Sequence, residues 1–286
     1  MEKLTTKEKM ERYVVKCNML GIKNFEFEYN DTLDEVVITN IFVDKSNEVL
    51  IPKFVSRVEF SAWYENKSMK DCKIVIPKGC IIDFGMIDLD PQYDGLSNHV
   101  GEIEVEEGHE YYSSQDGVLF NKDKTILLAY PRYKQETVYS VPHSVVRIAD
   151  NAFIYNGYLK RLNIKKNVIQ IGRCDWQQDT EINISKQNSS YKSVKGSLYS
   201  KDGKILYSLF APQGCKIKIE EGTILIENIL IEGCFDELFL PNTIKFINGI
   251  PMILDEHITY YDLIRAPKRL RKYLKKQENY FEVIYY

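Results

Sequence analysis

Four histidines, six cysteines and a run of aspartates are the residues of this chain best suited to chemistry. The histidines are His99, His109, His143 and His257. No two stand at i, i+3 or i+4, so they offer no helical zinc site and no H-E-x-x-H motif. The cysteines are Cys17, Cys72, Cys80, Cys174, Cys215 and Cys234. None forms a C-x-x-C pair, and the spacing reads as buried or half-buried free thiols. Asp83, Asp88, Asp90 and Asp94 make a carboxylate cluster, and paired carboxylates can cleave glycosides or hold calcium. Here Leu89 and Pro91 stand where a calcium loop needs ligands, so the segment reads as a turn-rich loop. There is no P-loop, no G-x-G-x-x-G and no G-x-S-x-G elbow. No nucleophile, base and orienting group can be assembled, so the expectation is no catalytic residue, no metal and no cofactor.

Composition excludes further classes. The chain has 286 residues and a net charge of −3, which argues against a general binder of nucleic acid or anionic membrane. Charged residues at 28% and hydrophobic residues at 44% are those of a folded domain. The 20 tyrosines suit half-buried sheet surfaces, ring packed and hydroxyl wet. No run reaches the roughly 18 apolar residues of a membrane span. The start, from Met1 to Lys9, is charged and lacks a signal-peptide core, which points to the cytoplasm; a location outside the cell would require a leader ahead of this sequence.

The elements that would position any site come from repetition. Tyr112-Ser113-Ser114-Gln115-Asp116-Gly117-Val118-Leu119-Phe120 returns as Tyr191-Lys192-Ser193-Val194-Lys195-Gly196-Ser197-Leu198-Tyr199, placing Gly117 and Gly196 79 residues apart. A shorter pattern, apolar-any-apolar followed by Pro or a polar residue, occurs eight times. Its middle residues are Leu50, Val75, Glu104, Ser140, Asn163, Asn183, Lys218 and Phe239. Each copy reads as a three-residue strand with its flanks pointing one way and its middle residue the other. The middle positions step by 25, 29, 36, 23, 20, 35 and 21 residues, and the two long steps contain the Gly117 and Gly196 blocks. Coils of 20–25 residues with one short strand each have the spacing of leucine-rich repeats, whose strands stack in parallel around a continuous core. The blocks read as inserted β-hairpins turning at 121–124 and at Asp202-Gly203.

The run Gly117-Val118-Leu119-Phe120-Asn121-Lys122-Asp123, then Tyr130-Pro131, Val141-Pro142-His143-Ser144-Val145, Ile148, Asn151-Ala152-Phe153 and Leu159, resembles BspA-type leucine-rich-repeat proteins of bacteria. It covers residues 111–172 well and 191–250 more loosely. The resemblance implies an interaction protein of the surface or secreted kind, in tension with the charged start of the chain.

The expected fold is therefore a β-rich α/β solenoid: a leucine-rich-repeat-like stack of short parallel strands with inserted hairpins, capped by N- and C-terminal helices. Residues 1–48 would form an N-terminal cap, with a helix over 6–20 and a strand at Phe25–Tyr29. Residues 49–260 would form the solenoid, and 261–286 a basic helix and tail carrying Lys268, Arg269, Arg271, Lys272, Lys275 and Lys276. The eight middle residues would be the partner-binding face of a non-enzymatic scaffold for protein recognition. The alternatives are a carbohydrate-binding or adhesion module, or a glycan-active solenoid enzyme using the aspartate loop.

Overall fold

The computed structural model describes residues 4–20, 24–42, 48–63, 70–83, 96, 100–154, 156–174, 179–212, 214–227, 235–248, 263–275 and 282–286. The aspartates at 88, 90 and 94, together with His99, His257 and Cys234, lie outside the described residues. The chain divides into two compact units: Met1–Gln135 with Arg147–Tyr158, and Glu136–Val146 with Leu159–Tyr286.

In both units the alternating triplets build the expected coils. In the first unit, strands Glu48–Leu50, Lys73–Ile76 and Glu102–Val105 pair in parallel, with Val49 opposite Ile74 and Ile74 opposite Ile103. Those three residues are buried, as are Ile51 and Ile76. The same period places Leu50 outward, 59% exposed. Pro52 and Pro77 close the first two of these strands. The N–H of Val55 donates to the Pro52 carbonyl at 3.0 Å and that of Cys80 to the Pro77 carbonyl at 3.1 Å. This turn carries the chain to a second sheet, where Glu35–Ile41, Arg57–Val58 and Ile81–Ile82 run in parallel. The second unit repeats the device after Pro142 and Pro241. Each coil thus buries two strand flanks against its neighbours, and a solenoid core arises from contacts that no coil could make alone.

The N-terminal helix spans Thr6–Met19. Thr5 and Glu8 form a reciprocal capping box, with Glu8 N–H donating to Thr5 Oγ1 at 3.2 Å and Thr5 N–H to Glu8 Oε2 at 2.8 Å. Met10 and Tyr13 pack onto the core of the first unit. The Tyr13 ring meets Phe27 and Phe54 edge-on at 5.8 and 5.6 Å. The strand after the helix, Phe25–Asn30, pairs antiparallel with Glu35–Ile41.

Two features differ from expectation. The repeated block is a three-stranded antiparallel meander, not a lone hairpin: Tyr112–Gln115, Val118–Asn121 and Ile126–Ala129 in the first unit, Tyr191–Val194, Ser197–Ser200 and Ile205–Ser208 in the second. The additional strand comes from two-residue turns whose central residues both have positive φ, Asp116 at 52° with Gly117 at 73° and Lys195 at 49° with Gly196 at 84°. This is type I′ geometry, whose twist matches that of paired strands. The second difference is at the end of the chain. The basic segment forms a 3₁₀ turn at Lys268–Leu270 and a single α-turn at Arg271–Leu274, flanked by strands Leu263–Ala266 and Glu282–Tyr285. The cause is the same alternation: Ile264 and Ala266 face inward, while Leu270 and Leu274 are drawn into the core. The Arg269 guanidinium donates to the carbonyls of Asn242 and Ile244, and that of Arg271 lies over the Tyr285 ring at 5.5 Å.

A buried polar position ties each block to the coil before it. Asn188, 1% exposed, accepts the backbone N–H groups of Ser190 and Tyr191 at 2.9 and 2.8 Å on Oδ1. Its Nδ2 donates to the carbonyls of Lys165 and Val168 at 3.0 and 2.8 Å. One repeat earlier stands His109, 2% exposed. Its Nδ1 accepts the N–H groups of Tyr111 and Tyr112 at 3.0 and 3.1 Å, and its Nε2 lies 3.0 Å from the Cys80 carbonyl. A ring nitrogen that accepts two amides carries no proton, so Nε2–H is the donor. Asn156 has the same function elsewhere in the first unit, donating to the Pro131 and Lys134 carbonyls and accepting from Tyr158 N–H.

Candidate functional site: the outward sheet ladders

The middle residue of each triplet projects away from the core, and parallel pairing in register lines these residues up at the strand spacing of about 4.8 Å. The eight expected positions fall in three hydrogen-bonded sheets. In the first unit, Leu50, Val75 and Glu104 stand opposite one another on consecutive strands. In the second, Ser140, Asn163 and Asn183 form one ladder. Lys218 and Phe239 begin another, which continues through Arg265 and Ile284. Leu50, Glu104, Ser140, Asn183 and Lys218 are exposed, while Val75, Asn163 and Phe239 are half-buried.

Each ladder has its own chemistry. Beside Leu50 and Val75, Lys73 bridges Glu48 at 2.8 Å and Glu104 at 2.9 Å on the neighbouring strands. These two carboxylates, Glu48 foremost, hold the Lys73 ammonium protonated well above its ordinary range. The second ladder is a chain of neutral polar groups: Asn163 Nδ2 donates to Ser140 Oγ at 3.0 Å, and Asn183 Nδ2 to Asn163 Oδ1 at 3.4 Å. Alongside runs an ion pair between Arg161 and Glu181 at 2.8 Å. The third ladder is cationic and aromatic. Arg265 lies over the Phe239 ring at 5.6 Å and pairs with Glu237, which Lys216 also meets at 3.2 Å. Sequence reading missed Arg265 and Ile284. A signal stands there for Arg265, since Ile264-Arg265-Ala266-Pro267 repeats the apolar-any-apolar-proline pattern, but the basic run that follows reads as a helix starting at Pro267.

Hydrogen bonding to Arg265, aided by Lys216, holds the Glu237 carboxyl below the usual carboxylate range. Folded Glu237 therefore binds a proton less readily than unfolded Glu237. The stability it contributes is complete above the unfolded carboxylate value and drains away as pH falls through the lowered one. Glu237→Gln should remove that part of the acid sensitivity, so that urea midpoints measured from pH 7 down to pH 3 fall less steeply than in the wild type. An unchanged slope would show that the pair carries no linkage.

The first ladder opens into a concave groove of about 760 Å³. Its apolar floor comprises Leu50, Val75, Phe25, Phe42 and Tyr13, with Pro52 and Pro77 at the strand ends. Glu48, Glu104, Glu106 and Glu107 line it together with Lys53. Glu106 pairs with Lys53 and accepts the Lys78 N–H at 2.9 Å, which keeps its carboxyl below the usual range and ionised at neutral pH.

The described residues contain no group of three histidine, cysteine, aspartate or glutamate side chains placed to hold a metal ion. Burial raises the Cys80 thiol to about 12, far from the range of a reactive thiolate. His143 is exposed on a turn, and His109 is committed to backbone groups. No helix among the described residues is long and apolar enough to cross a membrane.

No family model and no curated protein matches the sequence. Among solved structures, the pneumococcal vaccine antigen PcpA aligns at 16% identity and a TM-score of 0.39, over 84% of this chain and 68% of that one. A leucine-rich-repeat protein from Eubacterium ventriosum aligns at 16% identity and a TM-score of 0.40, over 74% of this chain and 67% of that one. A leucine-rich cell surface protein from Faecalibacterium prausnitzii aligns at 17% identity and a TM-score of 0.36, over 69% of this chain and 52% of that one. The last two are bacterial leucine-rich-repeat proteins, the kind that the run from Gly117 to Leu159 resembles. The solenoid assignment itself stands on the register of this chain's own strands.

Proposed function

We propose that the protein is a non-enzymatic leucine-rich-repeat scaffold that recognises a protein partner through the outward side chains of its parallel sheets. One observation carries this reading. The flanks of the triplets are buried or half-buried, whereas Leu50, Val75, Glu104, Ser140, Asn163, Asn183, Lys218 and Phe239 stand in register on outward columns of distinct chemistry. A column of fixed spacing can match an extended or helical partner without any rearrangement, so little conformational entropy is lost on binding. Phe239 beneath Arg265 is an aromatic and arginine pair of the type that anchors interfaces, and Leu50 beside Val75 adds apolar contact area.

A photo-crosslinking benzophenone amino acid placed at Asn183 or Lys218 should capture a discrete protein from extracts of the producing cells. The same label at Lys186, an exposed residue on the turn after the strand, should capture none. Equal capture from all three positions would overturn the assignment of the face. A glycan is the second reading, favoured by the hydroxyl and amide ladder of Ser140, Asn163 and Asn183, whose donors and acceptors suit sugar hydroxyls. An adduct at Asn183 that disappears after glycosidase treatment would select it.

A further inference from the structure

We infer that the groove of the first unit is a docking site for a basic, amphipathic peptide segment of a partner protein, one that sets Leu or Phe side chains between lysines or arginines. The inference rests on the reading of the outward ladders as recognition surfaces and assigns one of them its ligand chemistry.

Three observations combine. The groove has an apolar floor that is open to solvent. Leu50 is 59% exposed beside half-buried Val75, and Phe42 adds a half-buried aromatic edge. A contiguous exposed apolar surface enclosed by polar residues marks an interaction site. At about 760 Å³ the groove can enclose a few large side chains but not a folded domain.

The rim then sets the sign of the ligand. Glu48, Glu104, Glu106 and Glu107 face it, against Lys53 in the groove and Lys73 beside it. Lys78, whose charge also acts on Glu106, makes three ammonium groups against four carboxylates, a net excess of one acid. The pairing with Lys73 does not exhaust Glu104, because a carboxylate offers about four acceptor sites and a single lysine occupies only part of that capacity. An incoming cation would share these oxygens, whereas an incoming carboxylate would meet like charge at a partly desolvated site.

The third observation is geometric. Acidic and apolar side chains share the outward face, Glu48 two residues before Leu50 on one strand, and Leu50, Val75 and Glu104 opposite one another on three. A ligand whose cationic and apolar side chains alternate at strand spacing satisfies both sets at once.

Selection from a phage-displayed random peptide library tests this directly. The protein is compared with Leu50→Ser/Glu104→Gln, both exposed positions, and with Asn163→Ala/Asn183→Ala; thermal melting confirms that each variant folds. Wild-type protein should enrich peptides in which Lys or Arg adjoins Leu, Ile or Phe. A fluorescein-labelled representative should bind with an affinity that falls as salt is raised from 50 to 300 mM. The groove variant should weaken that binding more than tenfold, and the asparagine variant should leave it intact. No enrichment, enrichment of acidic peptides, or binding unaffected by the groove variant would overturn the inference. Peptides lost only with the asparagine variant would do so too, while sparing the wider reading of the ladders as recognition surfaces. Light scattering adds the remaining outcome: concentration-dependent self-association abolished by Leu50→Ser/Glu104→Gln would assign the groove to a second copy of this chain and overturn the peptide assignment.

Discussion

Asn188→Ala should destabilise the second unit by about 3–5 kcal/mol, among the largest single-residue effects available in this fold. The side chain is 1% exposed and makes four hydrogen bonds, all to backbone groups. Two go to the preceding coil, at Lys165 and Val168, and two to the strand that opens the meander, at Ser190 and Tyr191. Alanine would remove all four bonds and leave the Lys165 carbonyl only the long contact from Val168 N–H at 3.5 Å; each buried group that loses its partner costs roughly 1–3 kcal/mol, with partial recovery where water can enter. In a solenoid, stability resides in contacts between neighbouring coils, so the loss falls on the link between them and not on one coil. Urea denaturation would give the magnitude, and amide exchange at Ser190 and Tyr191 its location; protection unchanged at those two amides would refute the account. The equivalent position in the first unit supplies the control. His109→Asn should cost only about 1 kcal/mol, because asparagine performs the same task 79 residues later, whereas His109→Ala should approach the Asn188→Ala loss.

Gly196→Ala should cost about 2–4 kcal/mol, well beyond the equivalent Gly117→Ala at about 1 kcal/mol. Both glycines take the second central position of a type I′ turn, at φ of 84° and 73°, where an L-residue with a Cβ is strained. What separates them is space. A Cβ on Gly196 would stand 2.7 Å from Phe210 Cδ1, 2.8 Å from Cγ and 3.1 Å from Cβ, so the root of that side chain would have to move along with its ring. On Gly117 the nearest atom would be Glu102 Cγ at 3.1 Å, part of a flexible chain that can swing aside. The Phe210 N–H also donates to the buried Ser197 hydroxyl at 2.9 Å, so displacement of Phe210 strains a second contact. The difference between the two melting temperatures is the test. Equal losses would mean that backbone conformation alone determines the cost.

The coils were legible because their signal is local. Val49-Leu50-Ile51 or Leu162-Asn163-Ile164 announces a strand and its inward face within three residues, and proline or a polar residue marks its end. Register followed, since each coil must bury both flanks against the next. The helix over Thr6–Met19 was equally legible from Thr5, Glu8 and the spacing of Met10, Tyr13 and Val14. The first meander strand was not. Tyr112-Ser113-Ser114-Gln115 has no apolar alternation, and its pairing depends on a turn in which a lysine, Lys195, adopts positive φ in the second copy. The end of the chain was misread because six basic residues mask the burial of Leu270 and Leu274, whose place is set by the coil they close.

From sequence alone come the repeat, the alternation within each strand and therefore which side chains face outward, because these depend on residues adjacent in the chain. Tertiary structure decided which distant groups meet. It equates His109 with Asn188, two unlike residues that satisfy the same backbone groups. It carries the third ladder on to Arg265 and Ile284. It also gathers Tyr13, Phe25 and Phe42 around Leu50 to make a groove with an acidic rim. Strand faces follow from a two-residue period, whereas a site is a coincidence of chain segments that only packing brings together.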